Sequence, residues 1–488
     1  MSRAGFVLKH VVGGWAFLAL LAVNSPVSAA QPTALVHANL IPMTAEIILV
    51  DHSVIVENGR ITAVGPSAET MLPDDAKVID CRHGFLMPGL ADMHMHLRPH
   101  WIGDTWPVTP FKLYLANGVT TIRCFGPGGK TGRYALKWRD QIKSGYLAGP
   151  NILTCGLQLR GHFKEDPQHI VIRQKYQGFD FIKIYSYVTS QQFHSILAMA
   201  QKLDMYTAGH IPFQVGLSGV LNQGMDEIAH IEELLWEFSD LDRHRFFESE
   251  HEWMTDAIQS AFTRLYPLLD LSLQQQEEIF NSMVAAVVDQ LKAKPVPVCT
   301  TLVIDDLIVR KLSDPEGFLQ HPQHRYLPSA YLKRFRAGRE KHQMQFKDGE
   351  RFAPVKYMLD KKLLRALKAA DIPLLLATDA GTGAMGAVPG FSLHDELRIL
   401  TDNGFTPYEA LAAGTIVASK IVARMIGHDD FGAIVPGKRA DLLLLARNPL
   451  ADVANASQIC GVMVAGHWYD KETLSNMLAT VQNSQKSR

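Results

Sequence analysis

Two histidines one residue apart, His94 and His96, close the run Pro88-Gly89-Leu90-Ala91-Asp92-Met93-His94-Met95-His96-Leu97. Residues two apart in an extended chain share a face, so the pair can converge on one point while Met93, Met95 and Leu97 turn the other way. That is a metal-ligand geometry. An H-x-H pair alone is equally compatible with two unrelated histidines, so the rest of the chain must supply the context. Chemistry-bearing residues recur at the ends of later apolar runs: Lys183 within Phe181-Ile182-Lys183-Ile184-Tyr185, His210 after 205–209, His230 after Glu227-Ile228-Ala229, and Asp379 after 373–378. Neutral imidazoles and carboxylates are the donors that zinc and related divalent ions select. Lys183 is the most informative of the set. An ammonium among Phe181, Ile182 and Ile184 is costly to bury and repels metal ions; burial lowers its pKa, and the free amine can then react with carbon dioxide to give a carbamate, an anion able to bridge two metals.

The elements that must position these residues read as strands alternating with helical patterns. Candidate strands cover 86–94, 118–123, 151–155, 179–185, 205–210, 227–230, 296–301 and 373–379, the number that closes a (β/α)8 barrel, in which site residues stand at the C-terminal strand ends. Helical spacing runs over 191–203 and 363–370. The interval 236–358 exceeds an ordinary connection and reads as a helical insertion near the barrel mouth, ending in basic residues such as Arg334, Arg336, Arg339 and Lys341 that suit a solvated face. At both chain ends the texture changes to short alternating strands, over 34–81 and again over 432–469. The turn Asn58-Gly59 between alternating runs is a strong hairpin signal. The expectation is an α/β fold: a TIM-like (β/α)8 barrel (85–427) inserted into a small composite β-sandwich built from both ends (31–84 and 428–488).

Composition narrows the partners. The 488 residues carry a net charge of -1, which provides no basic field for nucleic acid and no polybasic run for anionic lipid, so a small-molecule or peptide substrate is expected. Residues 1–30 differ from the rest. Arg3 and Lys9 precede or flank an apolar run over 11–23, and Ser25-Pro26-Val27-Ser28-Ala29-Ala30 offers small residues for cleavage, the pattern of a secretory signal cut after Ala29 or Ala30. The mature chain is expected to be secreted or periplasmic, with no membrane span. Cys81, Cys124, Cys155, Cys299 and Cys460 are scattered and form no C-x-x-C pair, which suits buried packing better than a disulfide framework.

The sequence resembles the amidohydrolase superfamily, in its subgroup of imidazolonepropionase-like and prolidase-like metal-dependent hydrolases. The likeness rests on Met87-Pro88-Gly89-Leu90-Ala91-Asp92-Met93-His94-Met95-His96, Asn117-Gly118-Val119-Thr120-Thr121, Phe181-Ile182-Lys183-Ile184-Tyr185, Gly209-His210, Ala229-His230-Ile231-Glu232, Ala377-Thr378-Asp379-Ala380-Gly381 and Gly437-Lys438-Arg439-Ala440-Asp441-Leu442. The resemblance implies a β/α barrel with a composite sandwich and a site for two divalent metal ions, zinc by default. It places His94, His96 and Asp379 on one metal, His210 and His230 on the other, and carboxylated Lys183 between them. It further implies hydrolysis of an amide, cyclic amide or dipeptide by a hydroxide bridging the metals, with Asp379 as general acid and base. His162 aligns with a Gly-His element that lies near substrate in relatives, and Tyr185 is a candidate for orienting the carbonyl. Two positions depart from the pattern. Ile211-Pro212-Phe213 follows His210 where prolidase-like relatives carry a tyrosine, and Cys124 follows Arg123 where many relatives carry an aspartate. Alternatives on the same barrel are a mononuclear deaminase using Glu232 as acid and base, a lactonase, and a non-catalytic binding relative that should have lost ligands. A homo-oligomer is compatible with the sequence.

Overall fold

The structure, a computed structural model, describes residues 31–97, 108–126, 132–161, 163–238, 242–245, 252, 256, 260, 263, 265–328, 349–381 and 385–486. The signal-like segment 1–30, His162 and the basic residues from Arg334 to Lys341 lie outside the described residues.

The N-terminal strands are β1 (Thr33–Leu40), β2 (Leu49–Glu57), β3 (Arg60–Pro66), β4 (Lys77–Asp80) and β5 (Phe85–Pro88). Asn58 and Gly59 turn β2 into β3 with φ of 50° and 77°, the left-handed pair that a two-residue hairpin requires. Gly89 then carries the chain directly into the central region: a Cβ there would fall 2.3 Å from the Thr120 side chain, so only glycine permits the approach.

The central strands are β6 (Leu90–His96), β7 (Val119–Gly126), β8 (Asn151–Thr154), β9 (Phe181–Ile184), β10 (Tyr206–Gly209), β11 (Glu227–Ile228), β12 (Val298–Cys299) and β13 (Leu374–Leu375). They form two parallel arcs, one of β6-β7-β8 and one of β9-β10-β11-β12-β13. Single bridges link the arcs at both edges, Cys155 with Phe181 and Leu159 with Ile184 on one side, Met95 with Ala380 on the other. All eight of these strands or their immediate C-terminal extensions feed one buried cluster, among them Met93, Phe125, Leu153, Phe181, Ala208, Ala229, Cys299 and Leu375. Parallel strands covered on both faces read as apolar runs for this reason. The expected helix over 191–203 is Ser190–Lys202, closed by a reciprocal cap between Thr189 and Gln192. The one expected over 363–370 is the end of a longer helix, Gly349–Ala369.

Two expectations for the central region change. Strict alternation in β6 is broken: its pairing with β7 shifts register three times, so Met93 packs inward with Phe125 whereas Met95 and Leu97 join the outer core. The interval 236–358 is not wholly an insertion, because after the helix Leu273–Ala293 it returns to the sheet as β12, between β11 and β13.

The chain ends on β14 (Leu442–Leu445), β15 (Ile459–Val464) and β16 (His467–Asp470), followed by the helix Lys471–Lys486. β14 pairs antiparallel with β5, so both ends share one eight-stranded sheet in the order β16-β15-β14-β5-β1-β2-β3, with β4 on β1. Leu35, Val54, Leu86, Leu442 and Met463 bury a common core there. The stretch 433–437, expected as a strand, is a turn tied down by bonds from Ile434 N to Pro42 O and from Gly437 N to Ile61 O. None of the five cysteines forms a disulfide, and four of them are buried. Among the described residues no helix is long and apolar enough to cross a membrane.

Candidate metal centre

Every expected ligand stands at or just beyond the C-terminal end of a central strand. His94 and His96 end β6, Lys183 lies in β9, His210 follows β10, His230 comes two residues after β11, and Asp379 four after β13. The Nε2 atoms of His94 and His96 approach to 3.3 Å, and Asp379 Oδ1 lies 2.8 Å from His96 Nε2 and 3.4 Å from His94 Nε2. His94, His230 and Asp379 each present a donor atom within 4.8 Å of the others. The His210 ring lies 5.1 Å from that of His230, centroid to centroid.

The outward nitrogens are occupied, which orients the inward ones. His94 Nδ1 lies 3.1 Å from the Ala229 carbonyl, His210 Nδ1 2.5 Å from Glu233 Oε1, and His230 Nδ1 3.0 Å from Thr301 Oγ1. Such partners fix ring orientation and tautomer in metal sites. Burial, reinforced by the neighbouring cations, holds His94, His210 and His230 well below the ordinary imidazole range, so each is neutral, the ligating form. Burial alone would raise Asp379, but His96, His230 and Lys183 outweigh it and keep the carboxyl below its ordinary value.

Lys183 decides whether the set suits a metal. Its Nζ is buried, has no hydrogen-bond partner among the described residues, and lies 4.8 Å from the Phe125 ring centroid. Burial brings its pKa down to about 8 against the pull of Asp379 and Glu233. A bare ammonium is poorly served here, whereas a carbamate facing cations would be well placed. Neutral imidazoles, a carboxylate and this lysine fit divalent metal ions.

Residues 361–469, which include Asp379, β14, β15 and most of β16, match the Amidohydrolase family. The chain is 42% identical over 81 residues to an imidazolonepropionase of Cereibacter sphaeroides, covering 16% of this chain and 18% of that one. It is 33% identical over 75 residues to an adenine deaminase of a Ruegeria species, covering 15% and 12%. The chain thus matches less than a fifth of the length of these curated relatives. Over 93% of this chain and 90% of the other, its fold superposes on a solved bottromycin amidohydrolase with a TM-score of 0.66 at 20% identity. Residues 361–469 are thus similar to the Amidohydrolase family, and the fold as a whole is similar to that of a solved amidohydrolase.

The structure brings the six expected ligands to one end of the central strands and sets Tyr185 beside them, its ring 4.2 Å from that of His210. Glu232 is turned away, 3.2 Å from Lys356 Nζ, which also binds Asp305 and Asp360. The residue that faces the centre is Glu233, whose Oε2 accepts from Ile211 N at 3.0 Å and Trp236 Nε1 at 3.1 Å. Two further buried groups escaped the sequence reading. Asp92 accepts from the backbone N–H of His94 and Thr378 and from Thr378 Oγ1, joining β6 to the Asp379 loop. Arg123 donates to the Met93 carbonyl at 2.7 Å and pairs with Glu227, which Tyr206 also reaches. The signal for Asp92 was present: it precedes His94 by two, on the same face of an extended strand.

Proposed function

We propose that this chain is a hydrolase of C–N bonds, in an amide, cyclic amide or dipeptide, that works with two divalent metal ions, zinc by default. His94, His96 and Asp379 would hold one ion and His210 and His230 the other, with carboxylated Lys183 between them. The observation that carries this is the buried Lys183 amine, which has no hydrogen-bond partner among the described residues and whose charge is felt at His94, His210 and His230. The two parallel arcs, linked at both edges, support a (β/α)8 barrel around that centre, and the sheet shared by both chain ends supports the composite sandwich. The signal-like residues 1–30 support a secreted or periplasmic mature enzyme.

When bound, such a metal pair activates water at neutral pH and polarises the scissile carbonyl. The chain's own residues do the rest. Asp379, ionised and beside His96, accepts the proton of the attacking water and passes it to the departing nitrogen. The neutral rings keep their Nε2 lone pairs inward because Ala229, Glu233 and Thr301 engage the opposite nitrogens. Tyr185, its ring tilted against that of His210, would orient the substrate carbonyl.

The short likeness to an adenine deaminase favours a second reading, a mononuclear deaminase. Its acid–base residue would be Glu232, but that carboxylate sits on Lys356, which supports the hydrolase better. A lactone would meet the same groups as an amide. The test is to count metals per chain and assay dipeptides, N-acyl amino acids, lactones and aminated heterocycles. We expect two metals and C–N hydrolysis, and for Asp379→Asn retained metal with kcat lower by about 10²- to 10⁴-fold. One metal per loaded chain, activity on aminated heterocycles alone, or an unchanged kcat in Asp379→Asn would reject the proposal.

A further inference from the structure

His210 and His230, the imidazoles proposed to share one ion, are each held from outside by a different segment. Glu233, 2.5 Å from His210 Nδ1, stands in the 3₁₀ turn Ile231–Phe238. Thr301, whose Oγ1 lies 3.0 Å from His230 Nδ1, stands between β12 and the helix Val303–Ser313 with φ of 49°. A β-branched residue keeps such a left-handed conformation only where its surroundings impose it. Both segments pack on the helix Gly349–Ala369, and one buried side chain of that helix reaches both. Lys356 Nζ lies 3.2 Å from Oε2 of Glu232, the residue before Glu233, and 2.6 Å from Oδ1 of Asp305, one helical turn after Thr301. Asp360, a turn further along the helix of Lys356, completes the cluster at 2.8 Å. Burial pulls the Lys356 pKa down, but Asp305, Asp360 and Glu232 outweigh it and hold it well above the ordinary value, so the side chain is an ammonium. Without that charge the carboxylates would face one another in the interior and be driven apart. The ligands of the other ion have separate holds, His94 on the Ala229 carbonyl and the Asp379 loop on Asp92 through Thr378.

We propose that Lys356 is a positioning residue for the ion of His210 and His230: by clamping Glu232 to Asp305 it sets Glu233 against one imidazole and Thr301 against the other. This rests on the two-metal reading of the centre. One ammonium, on a helix that supplies no ligand, then orients both histidines of a single ion and neither histidine of its neighbour. Glu232 and Asp305 carry the effect, each through the residue or turn beside it.

The test titrates the full chain with zinc against a chromophoric chelator, with His210→Ala, which deletes a ligand of the same ion, as reference. Wild type should hold two ions. Lys356→Met should hold one of them about 10- to 100-fold more weakly and the other as tightly as wild type. Combined with His210→Ala it should cost no further ion, because both changes act on the same one. Excess zinc should restore most of kcat, since Lys356 acts only through Glu232 and Asp305, and Lys356→Arg should recover most of the affinity by keeping the charge. Should Lys356→Met fail to fold, the double variant E232Q/D305N decides alone: it loosens the same clamp, leaves Lys356 paired with Asp360, and should weaken the same ion. Equal weakening of both ions would assign Lys356 a general structural role and overturn the inference, as would two ions held as tightly as in wild type. Either result leaves the two-metal reading standing, whereas fewer than two ions in wild type removes that reading and the inference with it.

Discussion

Glu233 shows how much a single carboxylate arranges here. One oxygen holds His210 Nδ1 and the other takes Ile211 N and Trp236 Nε1, so the imidazole is locked with its free nitrogen inward. Burial raises the acid to about 7, opposed chiefly by the Ile211 N–H and Lys183. Loss of an outer partner of this kind lowers metal affinity by about 10- to 100-fold. Glu233→Ala should therefore give up one metal to a competing chelator far more readily than wild type, and Glu233→Gln should be intermediate, since it keeps the contacts but not the charge. Equal retention in all three proteins would show that His210 is oriented by packing alone. The neighbouring Glu232 was the candidate acid and base of the alternative deaminase reading, and the reason it turns away is local. After β11 the chain enters a 3₁₀ turn, Ile231–Phe238, whose period of three puts Glu233 and Trp236 on one face. Strand alternation would instead have placed Glu232 beside His230.

At the scale of elements, the hairpin of β2 and β3 does more than reverse the chain. Gly59 has φ of 77°, and a Cβ there would come 2.7 Å from the Ala465 carbonyl in the turn between β15 and β16. The N-terminal hairpin thus seats directly against the C-terminal one, and Ala440 N donates to Gly59 O at 2.8 Å. Gly59→Ala should lower stability by about 1–3 kcal/mol, from the backbone conformation and the collision together. Urea unfolding measures it, and a loss below about 0.5 kcal/mol would mean that the two ends are not held at this point. A similar logic governs β6, where register shifts against β7 redirect Met93 inward while His94 and His96 still converge.

At the scale of the whole molecule, the interior beneath the metal centre is polar as well as apolar. Arg123 and Glu227 are fully buried and paired, with Tyr206 and the Met93 carbonyl completing their bonds. Removing one partner of such a pair costs about 3–5 kcal/mol because the other is left charged and alone. Acid sensitivity has a further source in His394, fifteen residues beyond Asp379. His394 Nε2 bonds the Asn117 carbonyl at 3.0 Å, and burial pushes its pKa from 6.5 down to about 4. The unfolded chain takes up a proton near 6.5 that the folded chain refuses until about 4. The stability involved is present in full above pH 6.5 and is lost as pH falls through that window. His394→Gln should flatten the decline, by about 1–2 kcal/mol between pH 7 and pH 5 in urea titrations. A slope identical to wild type would place the acid-sensitive group elsewhere.

How much of this was legible beforehand follows from the range of the forces involved. The residue types of His94, His96, Lys183, His210, His230 and Asp379, and their places at strand ends, are encoded locally, by period-two patterning and by the cost of burying Lys183. The sequence by itself therefore determined the candidate donor set, the βα alternation and the Asn58-Gly59 turn. Partners distant in sequence were not legible. Asp92 reaches Thr378, Arg123 reaches Glu227, and β5 pairs with β14 only once the chain has closed on itself. The tertiary structure alone decided that Glu233 rather than Glu232 faces the centre. It also decided that Lys356 comes to lie against both Glu232 and Asp305. A side chain's direction at a turn is set by what packs against it, and no local pattern records that.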